Sequence, residues 1–337
     1  MIEEVFPRIY RIEVPLPGSP LQSVNSYLLK GERRDLLIDT GMNMEECREV
    51  LWPALRFLGV NLPNTDIFIT HLHYDHFGLA FPLSSDESTI YINAPDAIFL
   101  GDPSLWQKGL IYGRMNGFPE DELQLALEKR NHWLKKLPIK EIKNIIEYAD
   151  DGIEKKPFRI MGDGDILNVG RYSFKCLMTP GHSSGHLCLY EAQNKILFSG
   201  DHILEGITPA ICLWPGEKQN PLQDYLQSLD KIFNLEVDFI LPGHRSIFQD
   251  CRGRISQLKA HHSERNKEII FSLRGKEMAA YQVASEIRWD IPLPWGRFPP
   301  EQKWIAFAET LAHLKYLEEE GEIISKLQGD TMVYTEK

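Results

Sequence analysis

The sequence predicts a layered α/β protein, on three observations. Alternating apolar runs separated by turn residues recur from Val5 to Asp39 and again from Arg159 to Phe198. Helix-spaced apolar positions lie among them, first at Met44–Leu58. Four short loops rich in His, Asp and Gly each follow a strand-like run, the end of a layered sheet where ligands bind.

In order along the chain, Arg8–Val14, Ser26–Leu29 and Asp35–Asp39 read as consecutive antiparallel strands around Pro17-Gly18-Ser19-Pro20 and Gly31-Glu32. Val50, Leu51, Leu55 and Leu58 mark a helix that Gly59 ends. Asp66–Thr70 is a short apolar strand running into a histidine block. From about 100 to 157 the texture turns helical and rich in large side chains (Trp106, Tyr112, Met115, Phe118, Trp133). This insertion reads both as helices packed on the core and as a lid whose aromatics line a pocket. Strand character returns at 159–161, 165–167, 172–177, 187–190 and 195–198. Gly162-Asp163-Gly164-Asp165 lacks the alternating ligands of a calcium loop and reads as a hairpin turn. A helix at Pro221–Phe233 and a strand at Asp238–Leu241 follow. After Cys251 come three helices (255–273, 278–287, 301–320) and a hairpin around Gly329-Asp330, the outline of a winged helix.

At 337 residues, a prior of about 150 residues per domain allows two domains, divided here as 1–250 and 251–337. Apolar residues at 43% and charged residues at 25% exclude collagen, coiled coil and full-length disorder. The net charge of −11 disfavours a protein that coats nucleic acid or an anionic membrane. Residues 251–337 are balanced, with 13 basic and 13 acidic side chains, so a structural or dimer-forming winged helix is preferred to a nucleic-acid reader. Cys47, Cys176, Cys188, Cys212 and Cys251 form an odd, scattered set without CxxC, as expected of reduced thiols in a cytoplasmic protein. The acidic N-terminus carries no secretory signal pattern, and no apolar run reaches membrane-spanning length.

The chemistry concentrates in Thr70-His71-Leu72-His73-Tyr74-Asp75-His76. Imidazole and carboxylate are ligands for borderline divalent ions, and several must converge on one ion. His71 and His73 point to one side of an extended chain, and a turn after them lets Asp75 and His76 serve a second position. Further candidates are His182 in Pro180-Gly181-His182, Asp201 in Ser199-Gly200-Asp201-His202, and His244 in Pro242-Gly243-His244. The glycine before each permits a tight turn and close backbone approach. His261-His262 makes a poor metal pair, because i,i+1 residues do not share a helix face. Trp214 reads equally as a pocket wall or as a packed side chain.

With Asp39 in Leu37-Ile38-Asp39-Thr40-Gly41, these motifs resemble, in order, those of the metallo-β-lactamase superfamily. The resemblance covers about residues 1–250 and implies an αββα sandwich. It also implies a dinuclear site: His71, His73 and His182 on one metal, Asp75, His76 and His244 on the other, and Asp201 bridging. The metals expected are two divalent ions, zinc first, with iron or manganese as alternatives. Hydroxide activated between them would attack the substrate, with Asp75 and Asp201 as the catalytic carboxylates. Asp39 is expected to orient ligand loops, His186 to support the site rather than bind metal, and His202 to touch substrate or pack internally. His73 and Asp201 together resemble the glyoxalase II and lactonase branch. The tail resembles the winged-helix extension of a subgroup that includes β-lactamase-like protein 2 and single-stranded RNA endonucleases. The expected function is hydrolysis of a small thioester, ester or lactone. The alternatives are a phosphodiesterase or endoribonuclease, and a winged-helix binding protein with a structural metal site. The partner expected is a small-molecule substrate, with a homodimer allowed and no membrane.

Overall fold

In the computed structural model, which describes residues 1–101, 104–134, 158–214 and 220–337, the early alternation becomes four strands. These are β1 (Ile2–Phe6), β2 (Ile9–Pro15), β3 (Ser23–Leu29) and β4 (Asp35–Ile38), each antiparallel to the one before. Helix α1 (Glu45–Phe57) carries the chain across to β5 (Thr65–Phe68), which lies parallel to β4. Its acidic first turn, Glu45 and Glu46, and Arg56 in its last turn suit the helix dipole. Short helices α2 (Tyr74–Phe77) and α3 (Ala80–Leu83) precede β6 (Ile90–Ile92), and α4 (Ala94–Gly101) follows it. Next come α5 (Leu105–Met115) and α6 (Glu120–Leu134), and β7 (Phe158–Ile160) closes a seven-stranded sheet in sequence order.

The second sheet has five strands: β8 (Ile166–Val169), β9 (Tyr172–Met178), β10 (Leu187–Glu191), β11 (Ile196–Gly200) and β12 (Phe239–Pro242). Only the β11–β12 pair is parallel, and α7 (Pro221–Phe233) lies between these two strands in the chain. The remaining elements are α8 (Cys251–Leu273), α9 (Ala280–Glu286), α10 (Pro300–Glu319) and the hairpin β13 (Ile323–Gln328)–β14 (Thr331–Glu336).

The chain divides into two compact units, each described here by itself. The first comprises the described parts of 1–102, 138–209 and 228–255 and contains both large sheets. Strand period two sorts its side chains. Tyr27, Leu36, Ile38 and Phe68 of the first sheet meet Phe174, Leu189, Phe198 and Leu241 of the second in one apolar cluster, so the sheets stack face to face. The alternate residues Leu28, Leu37 and Ile67 turn the other way and pack with Cys47, Leu51, Ala54 and Leu55 of α1. The result is a mixed α/β sandwich.

Gly162–Asp165 is not a hairpin turn, contrary to the sequence expectation: β7 on one side of it pairs in the first sheet and β8 on the other side in the second. Asp165 Oδ2 accepts from Gly162 N at 2.8 Å and Asp163 Oδ1 from Met178 N at 2.7 Å, so the acidic side chains close the crossover.

The second unit joins the described parts of 103–137, 210–227 and 256–337. Phe118, Leu123, Leu213, Ile269, Val283, Phe307, Leu314 and Ile323 share its core. Of the aromatics singled out in the insertion, Phe118 belongs to this core, and Tyr112 packs against it, as does Trp214. The Trp106 and Trp133 side chains, and residues 102–103 and 135–157 of the expected insertion, lie outside the described residues. Met278 exchanges two backbone hydrogen bonds with Tyr334, at 3.0 and 2.9 Å, and the Tyr334 hydroxyl donates to Asn116 Oδ1 at 3.0 Å. Among the described residues, no helix is long and apolar enough to cross a membrane.

Candidate metal centre

One of the four loops, His71–His76, follows a strand of the first sheet (β5) and the other three follow strands of the second (β9, β11 and β12), and stacking brings all four to one end of the sandwich. After β5 the chain bends over Thr70–Leu72, is extended at His73 and then turns into α2. His71 and His73 therefore fall into one group of metal-ligand type with His182 and Asp201, while Asp75 and His76 fall into a second with His244. Within each group the candidate ligand atoms all lie within 4.8 Å of one another.

In the first group, His73 Nδ1 lies 2.9 Å from both His71 Nε2 and His182 Nε2. In the second, His244 Nε2 is 3.3 Å from His76 Nε2 and 3.4 Å from Asp75 Oδ2. Asp201 Oδ2 faces both groups, 3.6 Å from His182 Nε2, 3.5 Å from His76 Nε2 and 3.3 Å from His244 Nε2. All seven residues proposed from the sequence are thus brought together, with His71, His76 and His244 fully buried and His73 and Asp75 partly exposed.

The rear nitrogens are occupied. His244 Nδ1 donates to the Ser23 carbonyl at 2.7 Å, and His76 Nδ1 to Asp39 Oδ2 at 2.7 Å. Thr70 Oγ1 donates to Asp39 Oδ2 at 2.8 Å, and so accepts from His71 Nδ1 at 3.0 Å. With the rear nitrogens so engaged, each of these rings turns its Nε2 to the centre. Ring nitrogens and carboxylate oxygens converging at these distances, with Asp201 Oδ1 buried and unpartnered among the described residues, form a donor set that fits divalent cations.

Electrostatics agree. Burial, and then neighbouring His182, pushes the His73 imidazole down to about 3, which leaves it neutral and able to ligate. Burial opposes ionisation of Asp75, but His76 and His244 hold its carboxyl down at about 2. Burial also opposes charge on His244, yet Asp201 and Asp75 lift it to about 10, so the carboxylates draw positive charge into this space.

The supporting residues fall into place around them. His186 Nε2 accepts from the Asp201 backbone N–H at 3.2 Å, and its Nδ1 donates to Thr179 Oγ1 at 2.8 Å, so both ring nitrogens are engaged in holding the Asp201 loop. His202 is fully buried. A Cβ on Gly243 would lie 2.5 Å from Asp201 Oδ1 and 2.8 Å from the His76 ring, hence the glycine before His244. Sequence reasoning missed Asn25, whose Nδ2 donates to the Pro242 and Arg245 carbonyls at 2.9 Å and so frames the His244 loop. It also missed Asp96, a fully buried carboxylate at the start of α4. Neither stands in a motif, and the only local signal at Asp96 is an acid in the first turn of an otherwise apolar helix.

The family model described as the metallo-beta-lactamase superfamily matches residues 20–244. The chain belongs to this superfamily. Among its superfamily relatives, the beta-lactamase-like protein 2 homolog of Caenorhabditis elegans is 29% identical over 295 residues, covering 86% of this chain and 80% of that one. The acyl-coenzyme A thioesterase MBLAC2 of Homo sapiens is 24% identical over 243 residues, covering 66% of this chain and 74% of that one. The crystal structure of a metallo-beta-lactamase family protein from Thermus thermophilus superposes with a TM-score of 0.78 at 27% identity, over 99% of this chain and 100% of that one.

Proposed function

We propose that this hydrolase cleaves an acyl thioester, with related esters and lactones as secondary substrates, at a centre holding two divalent cations, zinc first. The observation that carries the reading is the sharing of Asp201 between two groups of candidate ligand atoms, an arrangement a closed four-ligand structural site does not need. The thioesterase name of a relative supports the choice of substrate class. His71, His73 and His182 would hold one cation and Asp75, His76 and His244 the other, with Asp201 between them. Such cations, when bound, polarise a carbonyl and bring the pKa of water near neutrality.

The protein's own part is positioning and proton handling. Asp75, at the partly exposed side, takes a proton from the attacking water as its oxygen adds to the acyl carbon. The carbon–sulfur bond then breaks, and the leaving thiolate takes the proton that Asp75 holds. Fixed rear hydrogen bonds on His71, His76 and His244 keep the ligand atoms aimed during this exchange.

The helices and hairpin after Cys251 support a winged-helix-like module, whose balanced charge favours a structural or dimer-forming role. Five free, buried cysteines support a reducing, cytoplasmic setting. The test is a panel of acyl thioesters, lactones, phosphodiesters and single-stranded RNA on zinc- and manganese-loaded protein. Thioester hydrolysis that chelator abolishes is the expected result; preferential cleavage of RNA or phosphodiesters overturns it.

A further inference from the structure

Asp96 makes no hydrogen bond to any of the seven candidate ligand side chains, yet it ties together the two loops that supply the histidines of the first group. Its Oδ1 accepts from Gly185 N at 2.6 Å, and its Oδ2 accepts from Leu72 N and from Ser183 Oγ, both at 2.8 Å. Leu72 lies between His71 and His73, while Ser183 and Gly185 follow His182. One rigid carboxylate, fully buried in α4, therefore sets the spacing of the backbones whose histidines face each other at 2.9 Å.

A carboxylate is required here. Three donors and no acceptor converge on it, so an amide at this place would turn N–H against N–H. The fit is close as well: a Cβ on Gly185 would lie 2.6 Å from Asp96 Oδ1. Asp39 serves the other half in a different way, touching the His76 ring directly and reaching His71 through Thr70.

Building on the metal reading above, we propose that Asp96 is the positioning residue of the His71–His73–His182 half of the centre and governs cation affinity there selectively. The experiment titrates apo full-length protein with Co2+, following visible absorption and bound-metal stoichiometry, with circular dichroism reporting the fold. Wild type should bind in two steps. Asp96→Asn should weaken one step by about 10–100-fold and leave the other within about threefold, the range by which outer partners tune metal sites. Gly185→Ala, which keeps the charge but displaces the carboxylate, should do the same, and decides the matter should Asp96→Asn not fold. Ser183→Ala, which spares both backbone tethers, should shift neither step by more than about threefold.

Pairing identifies the half affected. Asp96→Asn should change little when added to His182→Ala, and should weaken the remaining step when added to His244→Ala. Equal weakening of both steps, or none, overturns the proposal. Absence of Co2+ binding by wild type would instead overturn the metal reading.

Discussion

Among the described residues stand two buried histidine groups, and they differ in what closes them. In the first unit, four imidazoles, those of His71, His76, His182 and His244, face Asp75 and Asp201 across distances of 3.3–3.9 Å. In the second unit, His262 of α8 and His313 of α10 hydrogen-bond to each other and to an amide, with the Tyr225 and His261 rings against His262. His313 Nδ1 donates to Asn266 Oδ1 at 2.6 Å, so its Nε2 accepts from His262 Nδ1 at 3.3 Å. Burial, and then His261, holds His262 down at about 3, and no carboxylate lifts either ring. Burial and aromatic contact are common to both groups. Convergence of ring nitrogens with carboxylates belongs to the first alone, and that separates a cation centre from a neutral polar layer.

The largest test of this contrast removes one side chain from each. Asp201→Ala should lower kcat/KM for a thioester about 10³-fold or more, ~4 kcal/mol of transition-state stabilisation, with the fold retained by circular dichroism. His313→Ala should leave metal content and kcat/KM within about twofold. Activity surviving the first change, or metal lost in the second, breaks the comparison.

His313→Ala should act on stability instead. It strands Asn266 Oδ1 and the His262 Nδ1–H in the interior, a loss of about 1–3 kcal/mol, measured as a lower denaturant midpoint at unchanged slope.

A smaller effect sharpens the account of the polar layer. Glu309, fully buried on α10, is lifted to about 7 by burial and by Asp290, against the lowering influence of Arg265. The folded state thus holds its proton more tightly than the unfolded state does. The stability this gives is fully present below the unfolded carboxyl pKa, near 4.5, and is lost as pH rises through about 7. Glu309→Gln should therefore be more stable than wild type at pH 8, by about 1–2 kcal/mol, with the gain shrinking towards pH 4.5. A pH-independent difference in chemical denaturation would contradict this.

Much of the first unit was legible because its signals are local. Period-two alternation sorts Leu36, Leu37 and Ile38 to opposite faces of β4 without reference to anything distant. The spacing of His71, His73, Asp75 and His76 encodes the division into two groups, since a non-helical stretch followed by a helical turn aims them apart. The crossover at Gly162–Asp165 was not legible, because a Gly-Asp turn has the same local chemistry whether the strands beside it pair or part. Asp96 was invisible for a related reason: its three partners lie 24, 87 and 89 residues away, and nothing near it in the chain records them.

The sequence by itself determined the layered α/β class, the order of most strands and helices though not β1, β6, α3 or α4, and the residue types able to hold divalent cations. Those follow from side-chain periodicity, turn chemistry and donor identity, which act over a few residues. Tertiary structure alone decided that Asp201 faces both groups, that Asp96 and Asn25 hold the loops, and that His262 and His313 end on an amide. It also assembled the second unit from three separated stretches of chain. These depend on which distant segments meet when apolar faces are buried, and burial is indifferent to distance along the chain.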